Sequence, residues 1–393
     1  MLRKTLVVFC MLLALAVSGF AQETAPADTA KDTGPYQFSM DYEIAHSPVR
    51  NQARTGTCWC FSTISMLESE LIRMGWEEID LSEMFIVRKT YPLRARSYVR
   101  LHGDNIFAQG AYSHDVINQM RIYGMMPESA YSGMNIGEKR HNHGEIVSML
   151  RGMLDAVIKR RGGKLTPRWE EAFEGVLDSY FGEVPETFQY EGKTYTPKSY
   201  LEDYLKLNPD DYIEITSFTH HPFYSQCYLE VPDNWCHYSE FYNVPLADLE
   251  RICDNALKTG YSFVWGGDVS DRFFRSSKEG YAVVPQKDWE DMTRKEREQD
   301  VTEPIQEKTI TQEMRQKDFD NFTTTDDHAM HVIGLAHDQT GAPFYLVKNS
   351  WGTDMKYEGR FYMSKPYFLL RGVAIMINKN ALPEDIKQKL NIQ

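Results

Sequence analysis

Apolar positions recur at near-helical spacing directly after residue 58, at Trp59, Ile64, Leu67, Leu71 and Ile72, until Gly75 closes the run. This predicts a helix whose first residue is Cys58. Leu81-Ser82-Glu83-Met84 opens a second helical stretch, and a third is predicted over 111–123, stopped by Gly124. Residues 142–206 are mostly helical in pattern and charged, with Tyr190-Glu191-Gly192-Lys193-Thr194-Tyr195 reading as a small hairpin. The period then changes. Residues 212–218, 261–265 and 280–284 read as strands, with a helix predicted over 246–257, and 288–298 reads as a charged, solvated helical face. Four more strands are predicted at 331–336, 344–347, 360–363 and 372–377. A last short helix at 382–390 carries proline and acids first and lysines last. A helical first part followed by a strand-rich second part predicts an α+β fold of two lobes with a cleft between them.

The 393 residues, 42% of them hydrophobic, suffice for a substantial core, and they contain no internal repeat. The N-terminus changes the picture. Met1-Leu2-Arg3-Lys4 is basic, 5–17 is apolar, and small residues precede Gln22, which reads as a signal peptide over 1–21 cleaved near Ala21. Residues 22–36, rich in Ala, Thr, Asp and Pro, are expected to form a flexible leader too short and polar to act as an inhibitory pro-segment. The mature chain is therefore expected to be exported, periplasmic or secreted, with no membrane span. Loss of Arg3 and Lys4 takes the formal charge from −13 to −15, which argues against nucleic acid or anionic membranes as partners. Five cysteines remain, Cys58, Cys60, Cys227, Cys236 and Cys253, so at least one thiol is free. The other four admit three disulfide pairings or none.

A cysteine at a helix N-terminus beside an imidazolium favours the thiolate, and Cys58 has the first of these aids by position. Cys60, inside the helix, reads as structural. Gln52, six residues before Cys58, offers a side-chain amide that with the Cys58 backbone N–H would receive an oxyanion. Among eleven histidines, His328 in Asp326-Asp327-His328-Ala329-Met330 is the candidate base. His331, an odd number of residues along the same strand, would face the other way. His141 and His143, and the pair His220 and His221, show no carboxylate or cysteine cluster at metal-ligand spacing and read as surface or packing residues. Asn349, in Lys348-Asn349-Ser350-Trp351-Gly352, would orient His328, and Trp351 would screen that bond from water.

The order Gln52, Cys58, His328, Asn349, with Thr55-Gly56-Thr57-Cys58-Trp59 and the Asn-Ser-Trp-Gly run, resembles the papain-like cysteine peptidases. Short members place histidine and asparagine about 130–150 residues after the cysteine, whereas His328 follows Cys58 by 270. The insertion, at about 140–310, is similar to that of the bleomycin hydrolase and aminopeptidase C branch. Trp265-Gly266-Gly267-Asp268-Val269 resembles that branch's Trp-Phe-Gly-Cys-Asp-Val segment, and Thr55, 292–297 and the Asp-His-Ala-Met approach fit it too.

The resemblance implies a papain-like catalytic domain over 37–393 that hydrolyses peptides through a Cys58 acyl-enzyme without metal or organic cofactor. It favours an aminopeptidase over an endopeptidase or an amide hydrolase. An inactive peptide-binding relative is the other reading, against which the four intact residues argue. Members of the branch are usually cytosolic hexamers, which leaves a homo-oligomer open here, and they place a C-terminal carboxylate in the cleft to hold the substrate's amine. This chain departs from them in its export signal and in having only Asn391-Ile392-Gln393 after Leu390, a reach of roughly 10 Å.

Overall fold

Helix α1, Cys58–Arg73, has every residue from Trp59 to Leu71 buried, so it runs through the interior of the protein rather than along its surface. Several of its buried polar residues have hydrogen-bond partners. Ser62 Oγ and Thr63 Oγ1 donate back to the carbonyls of Cys58 and Trp59 at 2.8 and 2.7 Å, and the Ser65 hydroxyl pairs with His331 at 2.8 Å. Helix α2, Glu83–Arg100, starts where Ser82 Oγ accepts the Phe85 N–H, and α3 is Ser113–Tyr123. Two further helices, α4 (Gly144–Lys159) and α5 (Arg168–Phe181), pack on α2 through amphipathic faces whose buried residues are Ile146, Leu150 and Leu154, and Phe173, Leu177 and Phe181. Arg88 of α2 clamps α5 through Glu174 and Asp178, at 2.7 and 2.6 Å.

This computed structural model describes residues 34–160, 162–298 and 301–392. The expected signal peptide and residues 22–33 of the expected leader lie outside them. Tyr36, within the span assigned to the leader, is buried against Phe38, Tyr281 and Phe344.

The second lobe is one large sheet. Its strands are β1 (Phe38–Glu43), β2 (Tyr212–Thr216), β3 (Phe263–Gly267), β4 (His328–Asp338), β5 (Pro343–Lys348), β6 (Arg360–Ser364) and β7 (Gly372–Asn378), with short strands at either end. The central order is β2-β7-β3-β4-β5-β6, all antiparallel, and β1 adds to β4. Because β2 and β3 come from within 140–310, the inserted stretch is woven into the sheet, while α4 and α5 enlarge the helical lobe. A second core, built around Trp265, Val332, Tyr345 and Phe368, lies between the sheet and the helices Leu246–Lys258, Lys365–Arg371 and Glu384–Leu390. The predicted helical face at 288–298 is instead a tight turn, Trp289–Asp291, followed by the short helix Arg294–Glu298. Its density of charge leaves no apolar stripe to hold a longer helix against the lobe. No helix of the described residues is long and apolar enough to cross a membrane.

Candidate active site

A cleft of about 330 Å³ opens where the start of α1 faces β3 and β4. Cys58 and His328 both line it. Each reaches it for a local reason. As the first residue of α1, Cys58 has a backbone N–H without an intrahelical acceptor, and the first turn contains no acid to compete for that positive end. His328 is the first residue of β4 and pairs with Gly267, while Ala329 pairs with Gly266. A side chain at Gly267 would run into the Arg371 carbonyl at 2.2 Å, so the strand opposite the histidine stays bare.

Behind His328, Asn349 Oδ1 lies 2.9 Å from His328 Nε2 and also accepts the Ser350 N–H at 2.8 Å. A backbone N–H can only donate, so that atom is the amide oxygen and His328 Nε2 carries the hydrogen. The lone pair of the imidazole is then on Nδ1. Trp351 covers this bond, its ring stacked on His328 with centroids 4.7 Å apart.

Gln52 lies buried beside these residues. Its Oε1 accepts the Ser350 hydroxyl at 2.5 Å and its Nε2 donates to the Thr55 carbonyl at 2.7 Å, which leaves one amide hydrogen uncommitted. Gln109 supports the same loop by accepting the Gly56 N–H at 2.7 Å on its side chain and the Trp59 indole N–H at 3.0 Å on its carbonyl.

Electrostatically the empty cleft departs from the expected thiolate. Burial pushes the Cys58 thiol up to about 11, against the lowering effect of the Ala329 and Trp59 backbone N–H groups, and burial pulls His328 down to about 4 despite its bond to Asn349. Desolvation works against the helix terminus, so burial disfavours the charged form of each group.

His331 stands apart. It is fully buried, with Nδ1 2.8 Å from Ser65 Oγ on α1. The reading of His220 and His221 needs correction, because Glu230, ten and nine residues on, lies 3.1 and 2.9 Å from their Nε2 atoms. Sequence spacing hid a carboxylate that a loop returns to the pair. Gln316 Nε2 donates to His220 Nδ1 at 2.9 Å while its Oε1 accepts the Thr219 N–H at 2.6 Å. His220 Nε2 thus holds a hydrogen toward Glu230, and its lone pair is not offered to a metal. All five cysteines of the described residues are free thiols.

Sequence reasoning missed the acids of the cleft. Glu214, Asp233, Asp326 and Asp327 line it together with Tyr112. Only the Asp326-Asp327 pair, adjacent to His328, carried a signal.

The model of the Peptidase C1-like family matches residues 177–393, and that of the Papain family cysteine protease matches 35–90. Gln52 and Cys58 fall in the shorter match, His328 and Asn349 in the longer. Aminopeptidase G of Lactobacillus delbrueckii subsp. lactis is 25% identical over 398 residues, spanning 89% of this chain and 85% of that protein. Bleomycin hydrolase of Gallus gallus is 21% identical over 388 residues, spanning 86% and 82%. The fold is shared with the crystal structure of pepw from Lactobacillus rhamnosis HN001, at a TM-score of 0.68 and 17% identity over 90% of this chain and 84% of that one.

Proposed function

This chain belongs to the Peptidase C1-like family, and from that premise we propose that it is an exported cysteine aminopeptidase acting through a Cys58 acyl-enzyme. The observation that carries the reading is the pairing of Cys58 and His328 in one cleft, with His328 Nε2 tied to Asn349 so that Nδ1 is the basic nitrogen.

In the reaction, the Cys58 Sγ–H proton passes to His328 Nδ1 as sulfur bonds to the scissile carbonyl carbon. The carbonyl electron pair moves onto oxygen, where the Cys58 backbone N–H and the free amide hydrogen of Gln52 receive it. Collapse of this intermediate breaks the carbon–nitrogen bond, and the leaving amine takes the proton from His328. Water then attacks the thioester carbon while His328 accepts its proton. The acid product leaves, and the proton returns to Cys58 sulfur. Asn349 stabilises the imidazolium that forms.

The aminopeptidases and bleomycin hydrolases among the relatives support exo-cleavage, and the N-terminal charge and apolar pattern supports export. The test is hydrolysis of matched aminoacyl amides with free and acetylated N-termini by wild type and Cys58→Ala. The proposal requires a preference for free amines in the wild type and activity below a few per cent in the variant. Residual activity above that removes Cys58 as nucleophile, and equal turnover of acetylated substrates removes the exopeptidase assignment.

A further inference from the structure

An aminopeptidase must recognise an ammonium close to its nucleophile, because the N-terminal nitrogen is only two bonds from the scissile carbon, about 2.5 Å. The cleft contains four acids, and they are not equivalent. Asp327 accepts the Val269 N–H at 2.9 Å. Glu214 is held by His114, through its N–H at 3.0 Å and its Nδ1 at 3.3 Å. Burial opposes the charged form of that imidazole while Cys236 and Glu214 favour it, and the two hydrogen bonds from His114 engage Glu214 Oε1.

Asp233 and Asp326 differ from these. They lie together, the Asp233 N–H donating to Asp326 Oδ2 at 3.3 Å, and Asp233 is close enough to Cys58 to act on the thiol electrostatically. Arg94 faces Asp233 Oδ1 with its Nη2 at 4.0 Å, a long ion pair, while its Nη1 donates to the carbonyls of Ala108 and Gly110. Asp233 Oδ2 occupies the space over Gly110, 1.9 Å from where a Cβ would lie. A second, independent feature sits at the same place. The Tyr112 hydroxyl lines the cleft within a residue only 8% exposed, and it lies toward Asp326 without completing a hydrogen bond of good geometry.

We propose that Asp233 and Asp326, with the Tyr112 hydroxyl, form the seat for the free N-terminal ammonium of the substrate. This rests on the aminopeptidase reading above and names the groups that give it specificity. A bound ammonium adds charge-assisted donors to these oxygens and offsets the repulsion between two half-buried carboxylates. The electrostatics agree. Burial and the neighbouring Asp233 push Asp326 up to about 7, a shift that a cation seated between the two carboxylates would reverse.

The test uses Asp233→Asn, Asp326→Asn and Gly110→Ala in the full mature protein, the last displacing Asp233 without altering charge. Substrates are fluorogenic amides of one aminoacyl group, free or acetylated at nitrogen, together with acetylated dipeptidyl amides carrying Lys or Leu as the first residue. Folding is checked by thermal melts and by stoichiometric labelling of Cys58 with an epoxysuccinyl inhibitor. The expected result is at least a tenfold fall in the free-to-acetylated ratio of kcat/KM in each variant, expressed mainly in KM. A ratio unchanged in both asparagine variants overturns the proposal. So does a loss confined to the lysine dipeptide, which would assign the acids to a basic side chain. A wild type with no preference for free amines refutes the underlying aminopeptidase reading instead.

Discussion

Replacing Asn349 by alanine probes the one contact that fixes the chemistry of His328. The amide oxygen holds the Nε2–H at 2.9 Å under the Trp351 ring, and this hydrogen bond raises the histidine's pKa against the effect of burial. In the resting enzyme this is a neutral hydrogen bond. In the transition state the imidazole has taken the Cys58 proton and the bond becomes charge-assisted. Hydrogen bonds to charged groups are worth about 1.5–3 kcal/mol, and at 1.36 kcal/mol per factor of ten their loss lowers kcat about 10- to 150-fold. KM should change little, since Asn349 lies behind the histidine rather than on the cleft wall. Stability should fall modestly, because the Ser350 N–H loses its acceptor while Asn349 Nδ2, already without a partner, is removed with it. The variant also shifts the pH profile in a defined direction: without Asn349 the imidazolium is less favoured, so the acid limb of kcat/KM moves to lower pH. Steady-state kinetics from pH 3.5 to 8 measure kcat, KM and the acid limb, and thermal melts measure the stability. A kcat within threefold of wild type, or an acid limb moved upward, refutes the assigned tautomer and the orienting role.

Gln52→Ala should cost about 10²–10³ in kcat, the range for loss of one oxyanion donor, with binding of a substrate-like aldehyde weakened in parallel; an unchanged kcat would leave Gln52 as a structural link to Ser350 alone. His331→Ala should destabilise the fold by about 2–4 kcal/mol through a core cavity and an unpartnered Ser65 hydroxyl while kcat stays within a few-fold, and urea melts with parallel assays would expose an error if activity vanished in a stable protein. In wild type, kcat/KM for an acetylated substrate should be lost as pH falls through about 4, where His328 becomes protonated and can no longer accept the thiol proton; a limb near the ordinary histidine value would contradict the buried, neutral base. Edman sequencing of exported protein should begin at Gln22 and the same material should label at once with a thiol inhibitor, whereas a need for further trimming would imply a pro-segment.

The central helix and the long strands were legible because a buried face imposes a period on the sequence. Trp59 to Leu71 supply it for α1, and residues 331–336, 344–347 and 372–377 for β4, β5 and β7. The strand Phe38–Glu43 went unread because it lies at the sheet's flank with mostly exposed residues, so nothing forces alternation. The helix Lys365–Arg371 is short and follows a strand directly, too brief for a period to register. At the site, Cys58, His328, Asn349 and Gln52 stood out because each lies in a local run of characteristic neighbours. Asp233 and Tyr112 had no such run. They are separated by 121 positions and meet only because the loop before α3 and the loop around 233 fold over the same end of the cleft. Glu230 was invisible for the same reason, its meeting with His220 and His221 being made by a loop rather than by spacing.

Trapping the acyl-enzyme tests the central claim most directly. Mature protein is mixed with a slowly hydrolysed aminoacyl ester, quenched in acid within milliseconds to seconds, and digested for mass spectrometry. The account predicts an adduct of the acyl mass on the peptide containing Cys58, absent in Cys58→Ala and persistent in His328→Ala only where acylation has been forced by a reactive ester. An adduct on Cys236 or on any other residue, or turnover with no covalent species under conditions where deacylation limits the rate, would contradict it.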